Sequence, residues 1–125
     1  YLTPALEIVL DTENLSRSRI QRPGEVGPAA MAFKVLRTQV LQRVRRLGFH
    51  SIAVVRAGPD VARTVAAINL AIAVADDPDQ TALLVDADLR RPSVHRCLGF
   101  EPKLGLLDCL DGGTDVAAAI VRPSR

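Results

Sequence analysis

Leu83-Leu84-Val85-Asp86-Ala87-Asp88-Leu89-Arg90-Arg91-Pro92 is an apolar run that ends on two carboxylates and then on two guanidiniums. From Thr81 to Val85 its length and composition are those of a short buried strand. A parallel strand in an open α/β sheet delivers its carboxyl end to the crevice where ligands bind, and side chains at i and i+2 of extended backbone point the same way there. Asp86 and Asp88 at such an end could hold Mg2+ directly or through water, or orient a nucleophile. The residues support equally well a second reading, in which the two carboxylates are a turn and a helix cap, salt-bridged to Arg90 or Arg91.

Working outward, Ser51 to Arg56 is short, β-branched and apolar and precedes a Gly-Pro pair, the pattern of another buried parallel strand. Between the two runs, Val61 to Ala75 places Val61, Val65, Ile68 and Ile72 on one stripe and Leu70 and Val74 on another, a helix buried on most sides that Asp76, Asp77, Pro78 and Asp79 bring to an end. Strand, helix and strand together make a right-handed parallel unit of about 35 residues. Upstream, Phe33, Leu36, Val40, Val44 and Leu47 recur at spacings of three and four, and Pro28 and Gly48 suit the start and stop of an amphipathic helix with a basic outer face. Residues 1–27 read as a possible short strand at Ala5 to Leu10 followed by a loop, a linker or N-terminal extension; 28–125 form the domain. Downstream, Pro92 to Leu98, Leu104 to Leu110 and Thr114 to Val121 read as short helices, with no further strand evident. A sheet of two or three strands is too narrow to be covered on both faces, and the chain opens on Tyr1, so an incomplete, N-terminal part of an α/β domain is expected.

Composition narrows the function classes. The 125 residues are 48% hydrophobic, 24% charged and 3% aromatic, as in one ordinary globular domain. The longest uncharged stretch, Thr64 to Ala75, falls short of the roughly 20 residues of a membrane span, and no export signal opens the chain, which points to the cytoplasm. Cys97 and Cys109 have no ligand partner at metal spacing and read as reduced, half-buried thiols. A formal charge of +2 and the scarcity of stacking aromatics speak against nucleic acid. Charge is nevertheless segregated: residues 1–50 carry eight basic and four acidic side chains, residues 51–88 two and six, and the rest six and four. The abundance of Arg suits forked contacts to carboxylate or phosphate, but a compositional bias towards Arg and Ala explains it better. His50 and His95, each without a ligand partner, are given no role.

A phosphate cradle, if present, belongs at the junction after the first strand, Ala57-Gly58-Pro59-Asp60-Val61-Ala62-Arg63-Thr64. Against G-x-x-x-x-G-K-[ST], both glycines are alanine and the lysine is arginine, while Thr64 keeps its type. The cradle needs inward-turned N–H groups, which favour glycine, and positive potential at the helix start. Asp60 opposes both, because a carboxylate there caps the N–H groups of Ala62 or Arg63 and fills the anion site with the protein's own charge.

Residues 31–121 resemble the cytoplasmic ATPase domain of the bacterial tyrosine kinases (BY-kinases), capsular and exopolysaccharide co-polymerase proteins related to the partition ATPases and built on a P-loop NTPase-like parallel sheet flanked by helices. Leu83 to Pro92 reproduces the family's Walker A′ segment without a change. Phe33 to Gln39 is similar to its E-A-F-R-x-L-R-T-N helix, Asn69-Leu70-Ala71 to A-N-L-A, His95 to R-P-x-x-H, and Gly105 to Gly112 to G-L-S-D-V-L-x-G. The resemblance implies ATP and Mg2+ as cofactors, with the phosphate loop at Pro59, Asp60, Ala62, Arg63 and Thr64, and metal-holding or catalytic roles for Thr64, Asp86 and Asp88. In the family's P-G-E-G-K-[ST] loop, Pro59 and Thr64 match, whereas the glycines are Asp60 and Ala62 and the lysine is Arg63. The Walker B aspartate is missing after Ala117 to Val121, where Arg122 follows, and the only tyrosine is Tyr1. The family's E-x-x-R-x-x-R assembly helix maps to Met31, Lys34 and Arg37 with the glutamate lost, so these positions are either an oligomerisation face or a solvated basic one.

The expectation is therefore a degenerate, pseudoenzyme-like BY-kinase domain that regulates or assembles exopolysaccharide or capsule synthesis and export. It would self-associate and engage the cytoplasmic segment of a membrane polysaccharide co-polymerase. An active ATP- and Mg2+-dependent protein-tyrosine autokinase is the alternative. A partition-like ATPase that sets its basic helix on a membrane surface or nucleic acid is a weaker one.

Overall fold

The computed structural model describes residues 5–55 and 62–124. In chain order they form β1 (Leu6–Ile8), α1 (Thr12–Arg17), α2 (Pro28–Leu47), α3 (Ala62–Ala75), α4 (Val94–Leu98), α5 (Leu106–Leu110), α6 (Val116–Ala119) and β2 (Val121–Pro123). They divide into two compact units, one running to Ser18 and resuming at Val85, the other spanning Arg19–Leu84.

The second unit is a helix pair. Proline at the first position of α2 gives up an N–H that has no intrahelical partner anyway, and Gly48 closes the helix in the left-handed region at φ 71°. One face of α2, including buried Ala30, packs on α3. α3 supplies the core of this unit with Ile68, Leu70 and Ala73, and Ile68 is only 1% exposed. Asn69, 2% exposed on the same helix, is a buried polar group that needs partners. Its Oδ1 accepts the Gln21 N–H at 2.7 Å and its Nδ2 donates to the Arg19 carbonyl at 3.1 Å, which ties that stretch to α3 and buries Ile20.

The first unit carries the only ladder among the described residues. β1 and β2 pair in parallel, Leu6 opposite Val121 and Ile8 opposite Pro123, and the Ser124 N–H extends the pairing to the Ile8 carbonyl at 2.7 Å. α1 starts at Asp11, whose carboxylate accepts from the Glu13 and Asn14 N–H groups, and buries Leu15. α1 meets α4 at Gly99, whose φ of +77° and close neighbours both require glycine: a Cβ there would lie 2.7 Å from Asn14 Nδ2 and 2.9 Å from Asp11 Cβ. Asn14 Nδ2 in turn donates to the Arg96 carbonyl at 2.9 Å.

A parallel pair among helices is compatible with the expected α/β class, and β1 lies inside the short strand expected at Ala5 to Leu10, but the two runs expected to build the sheet are not part of it. Residues 51–55 and 81–85 form no ladder. Ile52, Val54, Val55, Leu83 and Val85 are exposed, Val55 to 82%. An apolar run becomes a buried strand only when neighbours take its backbone groups and another layer covers its side chains, and among the described residues neither run has such a neighbour. The end of the expected helix at Thr114 to Val121 is instead β2, and the expected loop after Leu10 contains α1. Elsewhere the expected helices stand with shorter ends, α2 within one residue.

Candidate functional site

The Asp86–Asp88 pair and the residues at the head of α3 are the two places where the sequence concentrates chemistry. After Leu84 the backbone joins no ladder and then turns, and side-chain carboxylates build the turn. Asp86 Oδ1 accepts the Asp88 N–H at 3.1 Å, closing an Asx turn over two residues. Its Oδ2 accepts the Ser93 and Val94 N–H groups at 3.0 and 3.1 Å. Those two groups open α4, whose N-cap residue Ser93 makes no side-chain cap bond of its own. Asp88 Oδ1 accepts the Arg91 N–H at 3.1 Å, making a second turn inside the first. Both carboxylates are half-buried.

These hydrogen bonds make a turn and a helix cap, the geometric part of the second reading of Asp86 and Asp88. A carboxylate has about four lone-pair directions, and Asp86 gives three of them to backbone N–H groups. A divalent cation bound directly at Oδ2 would displace the two N–H groups that begin α4, so this oxygen does not fit that role as it stands. No cluster of three or more His, Cys, Asp or Glu side chains suited to a metal ion occurs among the described residues.

The phosphate-loop positions are divided. Pro59 and Asp60 lie outside the described residues, as do the end of the first expected strand at Arg56 and the start of the next helix at Val61. Ala62, Arg63 and Thr64 form the first turn of α3, with Ala62 exposed, Arg63 half-buried and Thr64 buried at 8% exposure. They belong to the second unit, whereas Asp86 and Asp88 belong to the first.

On α2, Lys34 and Arg37 are both half-buried. Arg37 Nη1 donates to the Ala73 carbonyl at 2.8 Å, in the last turn of α3. A cation among the unsatisfied carbonyls of a helix C-terminus is favourably placed, so this guanidinium holds α2 to α3 within one chain. Met31, Val35 and Leu36 on α2 are exposed. Sequence reasoning missed the clamp made by Asn69. A lone Asn inside the most apolar helix was the available signal, since a carboxamide there must be hydrogen-bonded. Cys97 and Cys109 are half-buried and unpaired with each other, and His95 stands edge-on to Phe100 with ring centroids 6.5 Å apart. No helix among the described residues is long and apolar enough to cross a membrane.

A mixed helix and parallel-strand chain with a Leu-Val-Asp-Ala-Asp turn is related in sequence to tyrosine-kinase-like proteins. The chain is 30% identical over 95 residues to the "Putative tyrosine-protein kinase EpsB" of Ralstonia solanacearum, a match that covers 76% of the chain and 12% of that protein. It is equally similar to EpsB of Ralstonia nicotianae, and 33% identical over 81 residues to the "Putative tyrosine-protein kinase AmsA" of Erwinia amylovora, covering 65% of the chain and 11% of that protein. The matched part is thus about an eighth of the length of these relatives. No protein-family model matches the chain, and no solved structure matches it.

Proposed function

We propose that the chain is a BY-kinase-like module with a degenerate P-loop, acting as a regulatory or assembly element in exopolysaccharide or capsule synthesis and export. The similarity to proteins named tyrosine-protein kinases supports the kinase-like part of this reading. The observation that carries the degenerate part is the opening of α3 by Ala62-Arg63-Thr64, where a phosphate loop uses glycine and lysine. Alanine limits how the backbone N–H groups can turn inward, and a forked guanidinium is bulkier than the ammonium such a loop encloses. In the sequence, Asp60 adds a negative charge to the same loop, which disfavours an anion there. In this reading the module works through its surfaces in the cytoplasm, by self-association and by binding the cytoplasmic segment of a membrane polysaccharide co-polymerase.

The names of the relatives favour one other reading, an active autokinase using ATP and Mg2+, with Arg63 at the phosphates and Thr64, Asp86 and Asp88 at the metal. Calorimetric titration of MgATP into the protein separates the two. The degenerate module gives no heat and an unchanged melting temperature at millimolar nucleotide. Micromolar binding that is lost in Thr64→Ala would overturn it in favour of the kinase.

A further inference from the structure

The segment from Asp86 to Val94 is organised around one side chain. Three backbone N–H groups, from Asp88, Ser93 and Val94, converge on the Asp86 carboxylate at 3.0 to 3.1 Å. The span they close contains the inner turn of Asp88 and Arg91 and ends at the first residue of α4. A five-residue helix cannot sustain itself, and neither of its ends is secured by periodic packing alone. Its C-terminal end is fixed by Gly99, whose N–H reaches the His95 carbonyl at 2.8 Å, and by the Asn14 contact to Arg96. At its N-terminal end the fastening is Asp86.

We infer that Asp86 serves to build the 86–94 loop and to start α4, and that its carboxylate is not a ligand for a divalent cation. Cap and ligand compete for Oδ2, and Oδ1 already accepts the Asp88 N–H that closes the turn. Mg2+ requires near-octahedral oxygen coordination and gives up its own waters reluctantly, so it gains little from an oxygen already saturated by two N–H donors. A carboxylate at the first turn of a helix also meets the positive end of the peptide dipoles, which favours the cap further. The resemblance of Leu83 to Pro92 to a Walker A′ segment is then accounted for by folding: the Asp-x-Asp pair with its following residues makes the turn. This inference rests on the loop alone and stands apart from the reading of the nucleotide site.

The test uses Mn2+ as the probe and two variants, Asp86→Asn and Asp86→Ala. The amide Oδ1 of Asn can replace only one oxygen of the carboxylate, so amide exchange at Ser93 and Val94 should quicken at least tenfold in Asp86→Asn, and the melting temperature should fall by several degrees whether or not Mg2+ is present. The wild-type protein should leave the electron paramagnetic signal of Mn2+ undiminished, or diminish it to the same extent as Asp86→Asn does. Asp86→Ala should show a larger fall in melting temperature; should it fail to fold, exchange in the Asn variant and the wild-type Mn2+ titration still decide. Exchange at Ser93 and Val94 that is unaltered in Asp86→Asn would overturn the inference. So would Mn2+ bound by the wild type and lost in that variant. MgATP binding of equal strength in wild type and Asp86→Asn would overturn the degenerate-module reading while leaving this one standing.

Discussion

Each of the two units is stabilised internally by a different means. Between Arg19 and Leu84 the organising contact is apolar: a 20-residue helix laid on a 14-residue one, with Ile68, Leu70 and Ala73 buried and a few polar contacts, chiefly those of Asn69 and Arg37, added to it. In the unit that resumes at Val85 the helices are four to six residues long and bury little beyond Leu15 and Leu98. There the chain is fastened by side chains that reach backbone groups: Asp11 to α1, Asn14 to Arg96, Asp86 to α4, and Asp108 to the Gly105 N–H at 2.7 Å. Apolar burial yields a stripe that many residues share, and the loss of one is partly absorbed by its neighbours. A polar fastening is made by one residue, and nothing replaces it.

The comparison can be broken from the apolar side first. Ile68→Ala empties the most deeply buried large side chain and should cost about 3 kcal/mol, read as a fall in the midpoint of urea unfolding. If the two units differ as described, hydrogen exchange in this variant should quicken along α2 and α3 and remain unaltered at Ser93 and Val94. Quickening of both together would show that one cooperative structure underlies the two. The next effect is expected at Gly99. Alanine there must hold φ near +77° and push its Cβ into Asn14 and Asp11, so Gly99→Ala should cost about 2 kcal/mol and free the α1 amides to exchange. A change no larger than at Gly112→Ala, where φ is +79° and nothing lies within 4 Å, would mean that the close approach of α1 contributes nothing and only the backbone strain counts.

The same difference explains what could be read from the sequence. The period of Phe33, Leu36, Val40, Val44 and Leu47 marks α2 because a long helix repeats its instruction every turn, and Pro28 and Gly48 mark its ends by local geometry. α3 is legible for the same reason. The pairing of β1 with β2 is not, because each strand is three residues long and its partner lies at the far end of the chain. The apolar runs at 51–55 and 81–85 mislead in the opposite direction: their composition suits a strand, but composition does not provide a partner. At the candidate site, the Asp-x-Asp turn is visible as a pair of carboxylates in sequence, yet its two uses, ligand or cap, differ only in what lies seven and eight residues further on. The cap is seen only in the N–H groups of Ser93 and Val94, and no residue type announces a backbone N–H. Arg37 is ambiguous in the same way, since the sequence shows a cation on a helix and leaves open which way it turns.

Arg37 gives the smallest effect and the sharpest test of where the polar kind of fastening ends. It joins α2 to α3 through the Ala73 carbonyl at 2.8 Å, a polar contact inside the unit that is otherwise held by apolar burial. Its strength should come from the hydrogen bond to a carbonyl in the last turn of α3 and from the favourable position of a cation there, together about 1 kcal/mol. Arg37→Gln keeps a donor but shortens the reach and removes the charge, so most of that stability should be lost, with the midpoint of urea unfolding falling and its slope unchanged. Added salt should then narrow the gap between wild type and variant, because the dipole part is screened while the apolar packing of α2 on α3 is not. Were Arg37→Gln instead to leave unfolding untouched and alter only the self-association measured by sedimentation, the guanidinium would be acting between chains. The polar fastenings of the helix pair would then be those of Asn69 and Asp76 to the stretch before α2, and among the described residues none would join α2 to α3 directly.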